Sequence, residues 1–276
     1  MNRFKDFQEF SAHLDGLGLF RMDLTLGRMQ AFVRALSPAP NRAAVQVVGT
    51  NGKGSTATFL ASVAQAHGLR TGLYTSPHFV DFRERLLLEG EMLSEQDWTD
   101  LANALERSAP GLDLTYFELL TALAALAFGQ AGTELAVYEA GLGGTWDATT
   151  ALPVDLTLFT PMGLDHEAIL GPGLTRIARD KAGAMRPNGL AVTGPQEPEV
   201  LDILADRARE IGAELHHAAD LAGLPLAKHL GLSGPHQQEN ARLALAAWRL
   251  VARKRGWKAD AQAETRGLAR AFIPGR

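Results

Sequence analysis

The sequence predicts a three-layer α/β fold, in which a mostly parallel sheet carries helices on both faces. Short β-type runs alternate with longer helical patterns, and this strand-helix-strand order favours parallel strands. The runs are nearly continuous in apolar residues, as strands that are buried on both faces require. The predicted strands are 43–49, 72–76, 134–140, 155–161 and 189–194.

The helical patterns between these strands carry ordinary start and stop signals. Ser94 is the predicted N-cap of one helix, and Glu95 and Asp97 favour the positive end of its dipole. Gly68 and Gly212 follow two other helices, as C-terminal glycines commonly do. The predicted helices are 55–68, 94–108, 116–132, 174–185, 197–213 and 234–256.

Composition excludes several classes of protein. The 276 residues include no cysteine and carry a formal net charge of -4, so disulfides and thiolate metal sites are excluded. The basic cluster Arg253 to Arg255 falls at a predicted helix end, and nothing else favours nucleic acid or an anionic membrane as a partner. The charged N-terminus lacks a signal core, and an apolar stretch of about ten residues is too short to span a bilayer. We expect a cytoplasmic monomer.

Glycine-rich and polar segments follow the predicted strands. In open parallel sheets, ligands bind beyond the carboxyl ends of the strands. The sequence therefore predicts one ligand site on this rim. The segments are GTNGKGST from Gly49, SPH from Ser76, EAGLGG from Glu139, PMGLDH from Pro161 and GPQEP from Gly194.

The loop after the first predicted strand favours phosphate binding. It departs from the common pattern G-x-x-x-x-G-K-[ST], because Lys53 lies between Gly52 and Gly54. Glycines let backbone N–H groups turn toward an anion, and the following helix adds the positive end of its dipole. Ser55 or Thr56 could bind phosphate or a magnesium ion. The alternative is an ordinary strand-to-helix turn with an exposed lysine.

A carboxylate and a histidine follow two other predicted strands. Glu139 ends an apolar run, so it either reaches solvent at the strand end or meets a cation. His166 lies between Asp165 and Glu167, and taken alone it is typical of a solvated loop. Beside a phosphate loop, Glu139 and His166 together suit a magnesium ion that bridges phosphates.

Other segments are weak signals when each is taken alone. Lys181 is typical of a solvated helix lysine, and 76–78 of a strand-end turn. Residues 115–118 open a helix and suit plain core with a capping threonine. Residues 146–148 suit a loop that is anchored by tryptophan.

Taken together, these segments resemble the bifunctional dihydrofolate synthase/folylpolyglutamate synthase family, relatives of the Mur peptidoglycan ligases. The resemblance covers nearly the whole chain in the family's order, and it implies the P-loop fold of a Mur-ligase central domain. In this family the phosphate loop has its lysine where Lys53 stands. The resembling segments are VVGTNGKGST, YTSPHFVDFRERL, TYFE, YEAGLGGTWDATT, GLDHEAILG, ARDKAGAM, GPHQQENARLALAA and PGR.

The resemblance implies ATP and Mg²⁺ as cofactors. The lysine would stabilise charge on the transferred γ-phosphoryl group, and Lys181 matches a lysine that carbon dioxide converts into a carbamate ligand. The implied nucleotide-binding residues are Asn51, Gly52, Lys53, Gly54, Ser55, Thr56 and Asn240. The implied metal ligands are Ser76, Glu139, His166 and Lys181, and the catalytic residues are Lys53, His166 and Lys181.

The resemblance also implies a pterin pocket. A segment near Leu14 to Leu17 would contribute to it. Two departures bear on substrate orientation, since Thr145 stands where the family usually has arginine and Thr150 where it has asparagine. The implied substrate-binding residues are Thr115, Tyr116, Phe117, Glu118, Trp146, Asp147 and Ala148.

The implied activity is an ATP-dependent ligase that adds L-glutamate to dihydropteroate or folates through an acyl phosphate. Residues 1–271 would form the ATP-binding domain and 272–276 the start of an interdomain linker, with the family's second domain absent. We therefore expect weak nucleotide binding and little ligation from this chain alone. The alternatives are a non-catalytic nucleotide-binding paralogue and a Mur-type ligase that acts on a peptidoglycan precursor.

Overall fold

A central eight-stranded sheet organises the chain in the computed structural model, which describes residues 3–18, 23–36, 42–221 and 229–273. The strand order is β4-β3-β2-β5-β1-β6-β7-β8, and every pairing from β2 to β8 is parallel. β3 and β4 add an antiparallel edge. The strands are β1 Ala43–Val48, β2 Thr71–Tyr74, β3 Leu86–Leu88, β4 Glu91–Met92, β5 Leu135–Glu139, β6 Leu156–Phe159, β7 Leu190–Thr193 and β8 Glu214–His217.

Helices connect these strands and cover both faces of the sheet. Three short 3-10 helices, Phe82–Arg85, Ala148–Ala151 and Ala218–Leu221, lie in the connections that the structure describes. None of the described helices is long and apolar enough to cross a membrane. The α-helices are α1 Phe7–Gly16, α2 Gly27–Leu36, α3 Lys53–Ala66, α4 Glu95–Ser108, α5 Tyr116–Gln130, α6 Glu167–Leu170, α7 Leu174–Ala182, α8 Pro198–Ile211, α9 Gln237–Arg255 and α10 Ala261–Arg270.

Alternating side chains of the buried strands point to two different apolar cores. In β1, Val45 and Val47 pack with α3, α9 and α10, whereas Ala44 packs with α1, α2, α4 and α5 on the other face. Val48 lies in a third cluster with α7 and α8. Both faces of the sheet are therefore covered, and the predicted three-layer architecture is confirmed.

The predicted elements are present, and their boundaries are shifted by a few residues. Ser94 caps α4 in a reciprocal capping box with Asp97, as its sequence signal predicts. Gly212 ends α8 in the left-handed conformation. The sequence prediction omitted β3, β4, β8, α1, α2, α6 and α10, which are short or lie at the edges of the fold.

β1 lies where the chain order reverses across the sheet. β5 pairs with one of its edges and β6 with the other. The chain leaves β1 through α3 to β2 on one side of it, and it later passes from β5 to β6 on the other side. A crevice forms at the carboxyl end of such a strand, and this is the usual ligand position in open α/β sheets. The glycine-rich loop that begins at Gly49 lies there.

Candidate active site at the carboxyl edge of the sheet

The loop after β1 is fixed by the segment that follows β6. Thr50 N and Asn51 N both donate to the Pro161 carbonyl oxygen at 3.1 Å. The Thr50 hydroxyl also donates to the Gly163 carbonyl oxygen at 3.1 Å. These bonds hold the loop against the segment that leads to His166, so two of the predicted rim segments are in direct contact.

The loop ends at an uncapped helix N-terminus. Gly52 is the N-cap of α3, with a φ of 83° that favours glycine, and it offers no side chain to cap the first turn. The first N–H groups of α3 therefore lack helical partners and can bind an anion. A Cβ built on Gly52 would collide with the Asn240 side chain. The predicted nucleotide residue Asn240 thus lies against the loop, although it is 188 positions later in the chain (240 − 52).

Polar side chains of α9 continue this contact into α3. Asn240 Nδ2 donates to Gln237 Oε1 at 3.0 Å, and Gln237 Nε2 donates to Ser55 Oγ at 3.3 Å. The hydroxyl of Thr56 is buried and has no hydrogen-bond partner within the described residues. Lys53 is half-buried, and its Nζ donates to the Thr50 carbonyl oxygen at 3.1 Å. The lysine therefore lies over the loop.

Ser76 and Glu139 meet at the ends of β2 and β5. The Glu139 side chain is buried, and its Oε2 accepts a hydrogen bond from Ser76 N at 2.9 Å. A small cavity between this pair and α3 is lined by Ser76, Glu139 and Gly54, among others. The carboxylate therefore meets polar partners inside the fold, and the alternative in which it reaches solvent at the strand end is wrong.

Lys181 is buried beneath the phosphate loop. Only 3% of the residue is exposed, and its Nζ donates to the Gly49 carbonyl oxygen at 2.8 Å. Burial and, to a smaller extent, the nearby Lys53 together lower the pKa of Lys181 to about 8, against the opposing effect of Asp180. The interpretation of Lys181 as a solvated helix lysine is wrong, because α7 turns this side chain inward.

His166 occupies the rim outside the buried groups. Its side chain is 45% exposed, with Nε2 3.4 Å from Asp165 Oδ2, and its φ of 53° turns the chain into α6. The structure thus brings Ser76 and Glu139 together and places Lys181 behind the loop, with His166 at the surface. Within the described residues, no group of three or more His, Asp, Glu or Cys side chains converges on one point.

The residues at this edge fit a magnesium ion that is shared with phosphate. Mg²⁺ keeps several waters and takes only one or two protein carboxylates when substrate phosphates supply the other oxygens. Glu139 and Ser76 supply such a carboxylate and a hydroxyl next to α3. The buried, unpartnered hydroxyl of Thr56 is a further oxygen on the same helix.

The segment Thr115 to Glu118 forms the start of α5. Thr115 and Glu118 make a reciprocal capping box, as the plain reading of a capping threonine predicts. The buried Glu118 carboxylate also accepts two hydrogen bonds from Arg28, at 2.9 and 3.0 Å. The Phe117 ring lies directly against Gly141, where an added Cβ would come within 2.6 Å of it. This segment therefore faces the turn that follows β5.

Residues Trp146 to Ala148 lie on the far side of the same turn. Asp147 is buried and accepts hydrogen bonds from the N–H groups of Gly141 and Leu142 at 2.8 and 3.0 Å. Burial raises the pKa of Asp147, although these bonds oppose the shift. Trp146 is 49% exposed, whereas Ala148 is buried. The aspartate holds the turn, and the tryptophan leaves one face open to solvent.

The two departures from the family pattern lie in the same network. The Thr145 hydroxyl donates to the Asp180 carbonyl oxygen at 2.8 Å, which ties the turn to α7. The Thr150 hydroxyl donates to the Gly144 carbonyl oxygen at 2.7 Å and accepts from Gln46 Nε2 at 2.7 Å. Both threonine hydroxyls are thus hydrogen-bonded to other residues of this chain.

Parts of two further predictions lie outside the described residues. Leu14 is fully buried in α1 and Leu17 caps its end, but residues 19–22, which follow the predicted pterin segment, are not described. Residues 274–276 of the predicted linker are also outside the described ranges.

Sequence reasoning missed several polar residues at this edge. Arg28 reaches Glu118 across 90 positions, Gln237 reaches Ser55 across 182 positions, and Arg85 lies buried beside His78. No local pattern marks such pairs, since their partners come from distant elements. The segment FRERL contains Arg85, but nothing in that segment distinguishes a buried arginine from an exposed one.

Comparisons with known proteins identify the family to which the chain is similar. The dihydrofolate synthase/folylpolyglutamate synthase of Escherichia coli (strain K12) is 36% identical over 272 residues, covering 94% of this chain and 62% of that protein. The protein of the same name from Bacillus subtilis (strain 168) is 32% identical over 301 residues, covering 99% and 70%. The chain therefore spans roughly two thirds of these relatives' length. No family model matches it.

Solved structures agree with the sequence comparison. A structure described as E. coli FolC in complex with DHPP and ADP superposes with a TM-score of 0.84 at 34% identity, covering 100% of this chain and 68% of that one. A structure described as an FPGS-AMPPCP-folate complex gives a TM-score of 0.85 at 27% identity, covering 98% and 73%.

The parallel sheet, the glycine-rich loop after β1 and the superpositions define an α/β domain with the Mur-ligase type of fold. Within that class, the chain belongs to the dihydrofolate synthase/folylpolyglutamate synthase family.

Proposed function

We propose that this chain binds ATP and a pteroate or folate acceptor, in an ATP-dependent ligase that adds L-glutamate to the acceptor's carboxylate. The observation that carries the proposal is the uncapped N-terminus of α3, with Lys53 over it, directly beside the Ser76 and Glu139 pair. An anion-binding helix end next to a buried carboxylate suits a triphosphate and its divalent cation.

The names of the relatives support both ligands. One structure is described with AMPPCP and folate, and another with ADP and DHPP. This chain aligns over nearly its full length with both structures, which supports the proposal that it binds the same classes of ligand. We also propose that it works as a monomer in the cytoplasm, without nucleic-acid or membrane partners.

The chemistry consists of two transfers. A carboxylate oxygen of the acceptor attacks the γ-phosphorus of ATP, the bond to the β-phosphate oxygen breaks, and ADP leaves with an acyl phosphate formed. The amine of glutamate then attacks the acyl carbon, inorganic phosphate leaves, and the amine loses a proton as the amide forms. Each step moves negative charge, so positioning and charge neutralisation supply most of the catalysis.

The residues at the carboxyl edge suit these demands. The first N–H groups of α3 and the Lys53 ammonium would stabilise the phosphate oxygens. Asn240 would hold the loop and contact the nucleotide, since it lies against Gly52. Ser76 and Glu139 would hold a magnesium ion. That ion, when bound, neutralises phosphate charge.

Lys181 would act in its carbamylated form. Its buried amine has a pKa lowered to about 8, so a sizeable neutral fraction is available to attack carbon dioxide near neutral pH. The ammonium first loses one proton, and formation of the N–C bond with carbon dioxide then releases a second proton. The cation next to Lys53 thereby becomes an anion. We expect a carbamate carbon signal by NMR in ¹³C-bicarbonate that Lys181→Met removes; a wild-type spectrum without that signal would contradict this role.

The turn after β5 would form one wall of the acceptor pocket. Tyr116 and Phe117 lie at the start of α5, and Phe117 packs against Gly141. The exposed face of Trp146 is available to a flat aromatic ligand. Glu118 and Asp147 are occupied by protein donors, so we assign them the role of holding the walls in place.

A ligation assay with matched binding measurements tests the proposal. The chain is incubated with ATP, dihydropteroate and L-glutamate, and ADP and dihydrofolate are counted. A second arm adds the separately expressed C-terminal part of the B. subtilis relative. We expect ADP and dihydrofolate in equal amounts, more in the second arm, and binding of pteroate in preference to a UDP-linked peptidoglycan precursor.

The outcomes separate the alternatives. Preference for the UDP-linked precursor would favour a Mur-type ligase. Binding of both ATP and pteroate without product in either arm would favour a non-catalytic nucleotide-binding paralogue. Binding of nucleotide alone would contradict the acceptor assignment.

A further inference from the structure

Arg85 is a buried cation with neutral partners. Only 5% of the residue is exposed. Its Nε donates to His78 Nδ1 at 2.9 Å, its guanidinium lies 5.4 Å from the centre of the Tyr116 ring, and it also interacts with the Tyr74 phenol. Within the described ranges, no carboxylate forms an ion pair with this side chain. A buried charge of this kind lowers the folding stability unless it is paired with an anion.

The acidic groups of this region are already occupied. Glu84 accepts hydrogen bonds from the N–H groups of Phe79, Val80 and Asp81, at 2.7 to 3.0 Å. Asp81 forms an ion pair with Arg83, 2.7 Å away. Asp147 is engaged by the turn that follows β5. These carboxylates therefore do not neutralise the positive charge of Arg85. The positive end of the α5 dipole makes the local potential more positive still.

Arg85 also lies between the proposed acceptor pocket and the phosphate loop. Its own carbonyl oxygen accepts a hydrogen bond from Thr75 N at 2.9 Å, which fixes it beside Ser76. Its guanidinium faces Tyr116, which begins the pocket wall that continues through Phe117. An anion bound to Arg85 would thus lie where the acceptor pocket meets the phosphate loop.

We propose that Arg85 binds the carboxylate of the pteroate-type acceptor and orients it toward Ser76. A planar guanidinium matches a carboxylate with two parallel hydrogen bonds and is weakly hydrated, so it suits this position better than a lysine. The Nε–His78 bond and the stack on Tyr116 hold the guanidinium in one orientation. The inference rests on the proposed function, because the acceptor's identity comes from there.

A pair of ligands that differ only in charge tests the role of Arg85. The affinities of pteroic acid and its primary carboxamide are measured by calorimetry in buffer without magnesium or nucleotide, so that neither can hold the carboxylate. The proteins are the wild type, Arg85→Gln, Arg85→Lys and the control Arg83→Gln. Arg83 lies in the same 3-10 helix but pairs with Asp81, so it should not contribute to acid recognition.

We expect the wild type to bind the acid about 10- to 100-fold more tightly than the amide, as a charge-assisted pair supplies. Arg85→Gln should lose this preference and keep its affinity for the amide and for AMPPCP, and the AMPPCP affinity also reports an intact fold. Arg85→Lys should keep part of the preference, and Arg83→Gln all of it.

Three results would overturn the proposal. Equal wild-type affinity for acid and amide would do so without any variant, even if Arg85→Gln failed to fold. An unchanged acid preference in a folded Arg85→Gln would show that another group holds the carboxylate. Failure of the wild type to bind either compound would contradict the acceptor assignment itself, and the proposal would fall with it.

Discussion

At the amino edge of the sheet Asp155 accepts hydrogen bonds from charged donors, whereas at the carboxyl edge the buried Lys181 and Arg85 donate hydrogen bonds to neutral groups. Asp155 accepts hydrogen bonds from Arg255 Nη2 at 2.7 Å and Ala44 N at 3.0 Å. Lys254 Nζ lies 3.2 Å from its other oxygen. Lys181 by contrast donates to a backbone carbonyl, and Arg85 to an imidazole.

The two edges therefore differ in what their charges do. Those at the amino edge stabilise the fold, whereas we infer that those at the carboxyl edge bind ligands. At the amino edge, the cluster at the end of α9 stabilises the helix and ties it to the start of β6, beyond its favourable interaction with the helix dipole. At the carboxyl edge, we expect two lysines near each other and a buried arginine to lower the stability of the protein when no anion is bound. Such a local conflict is expected where a site is prepared for an anion.

The largest expected effect is at the carboxyl edge. Lys53→Ala should weaken the binding of AMPPCP by about 100-fold or more, because one phosphate-directed charge is lost from a preorganised site. The free energy of unfolding should change little, since the side chain bonds only its own loop. Calorimetric titration measures the affinity, and circular dichroism measures the fold. The exposed Lys258→Ala is the matched control; equal affinities in the two variants would exclude the loop as the phosphate site.

At the amino edge the effect should be on stability alone. Asp155→Ala should lower the free energy of unfolding by about 2 kcal/mol, as the loss of charge-assisted hydrogen bonds does, and leave AMPPCP affinity unchanged. Urea unfolding measures the loss. A variant as stable as the wild type would mean that the cluster has no net effect on folding.

The contacts of Asp155 also predict how the free energy of unfolding changes at acid pH. Burial would raise the pKa of Asp155, but the Arg255 and Ala44 bonds outweigh it and the pKa lies below the usual 3.8. A carboxylate with a lowered pKa stabilises the fold above pH 3.8, and this contribution disappears as the pH falls through the folded-state pKa. Asp155→Ala should therefore lose less stability than the wild type on acidification below pH 3.8.

The smallest expected effect is a gain. Lys181→Met should raise the free energy of unfolding by about 1 kcal/mol at pH 7 in bicarbonate-free buffer, because a desolvated cation is removed, while ligation is lost. The lowered pKa of about 8, against 10.5 for a free lysine, makes wild-type stability rise with pH between these values, since the unfolded chain binds more protons there. The variant should lack that rise. Marked destabilisation would show that the Gly49 bond outweighs the cost of the buried charge.

The sequence by itself determined the main architecture and part of the site. Alternating apolar runs and helical patterns depend on local periodicity, so the parallel strands and their connecting helices were predictable. The glycine-rich loop was equally local, because its three glycines and Lys53 all fall within the six consecutive positions from Gly49 to Gly54. Ser94 and Thr115 were recognisable as caps for the same reason.

Only the tertiary structure decided which edges and charges are buried. The antiparallel strands β3 and β4 and the edge strand β8 have short patterns of two to four residues, too brief to distinguish from loops. The burial of Lys181 depends on the rotation of α7 against the end of β1. The burial of Arg85 depends on the packing of the 3-10 helix Phe82–Arg85 against α5. Side-chain environments of this kind arise from contacts across dozens to hundreds of positions, and no local pattern encodes them.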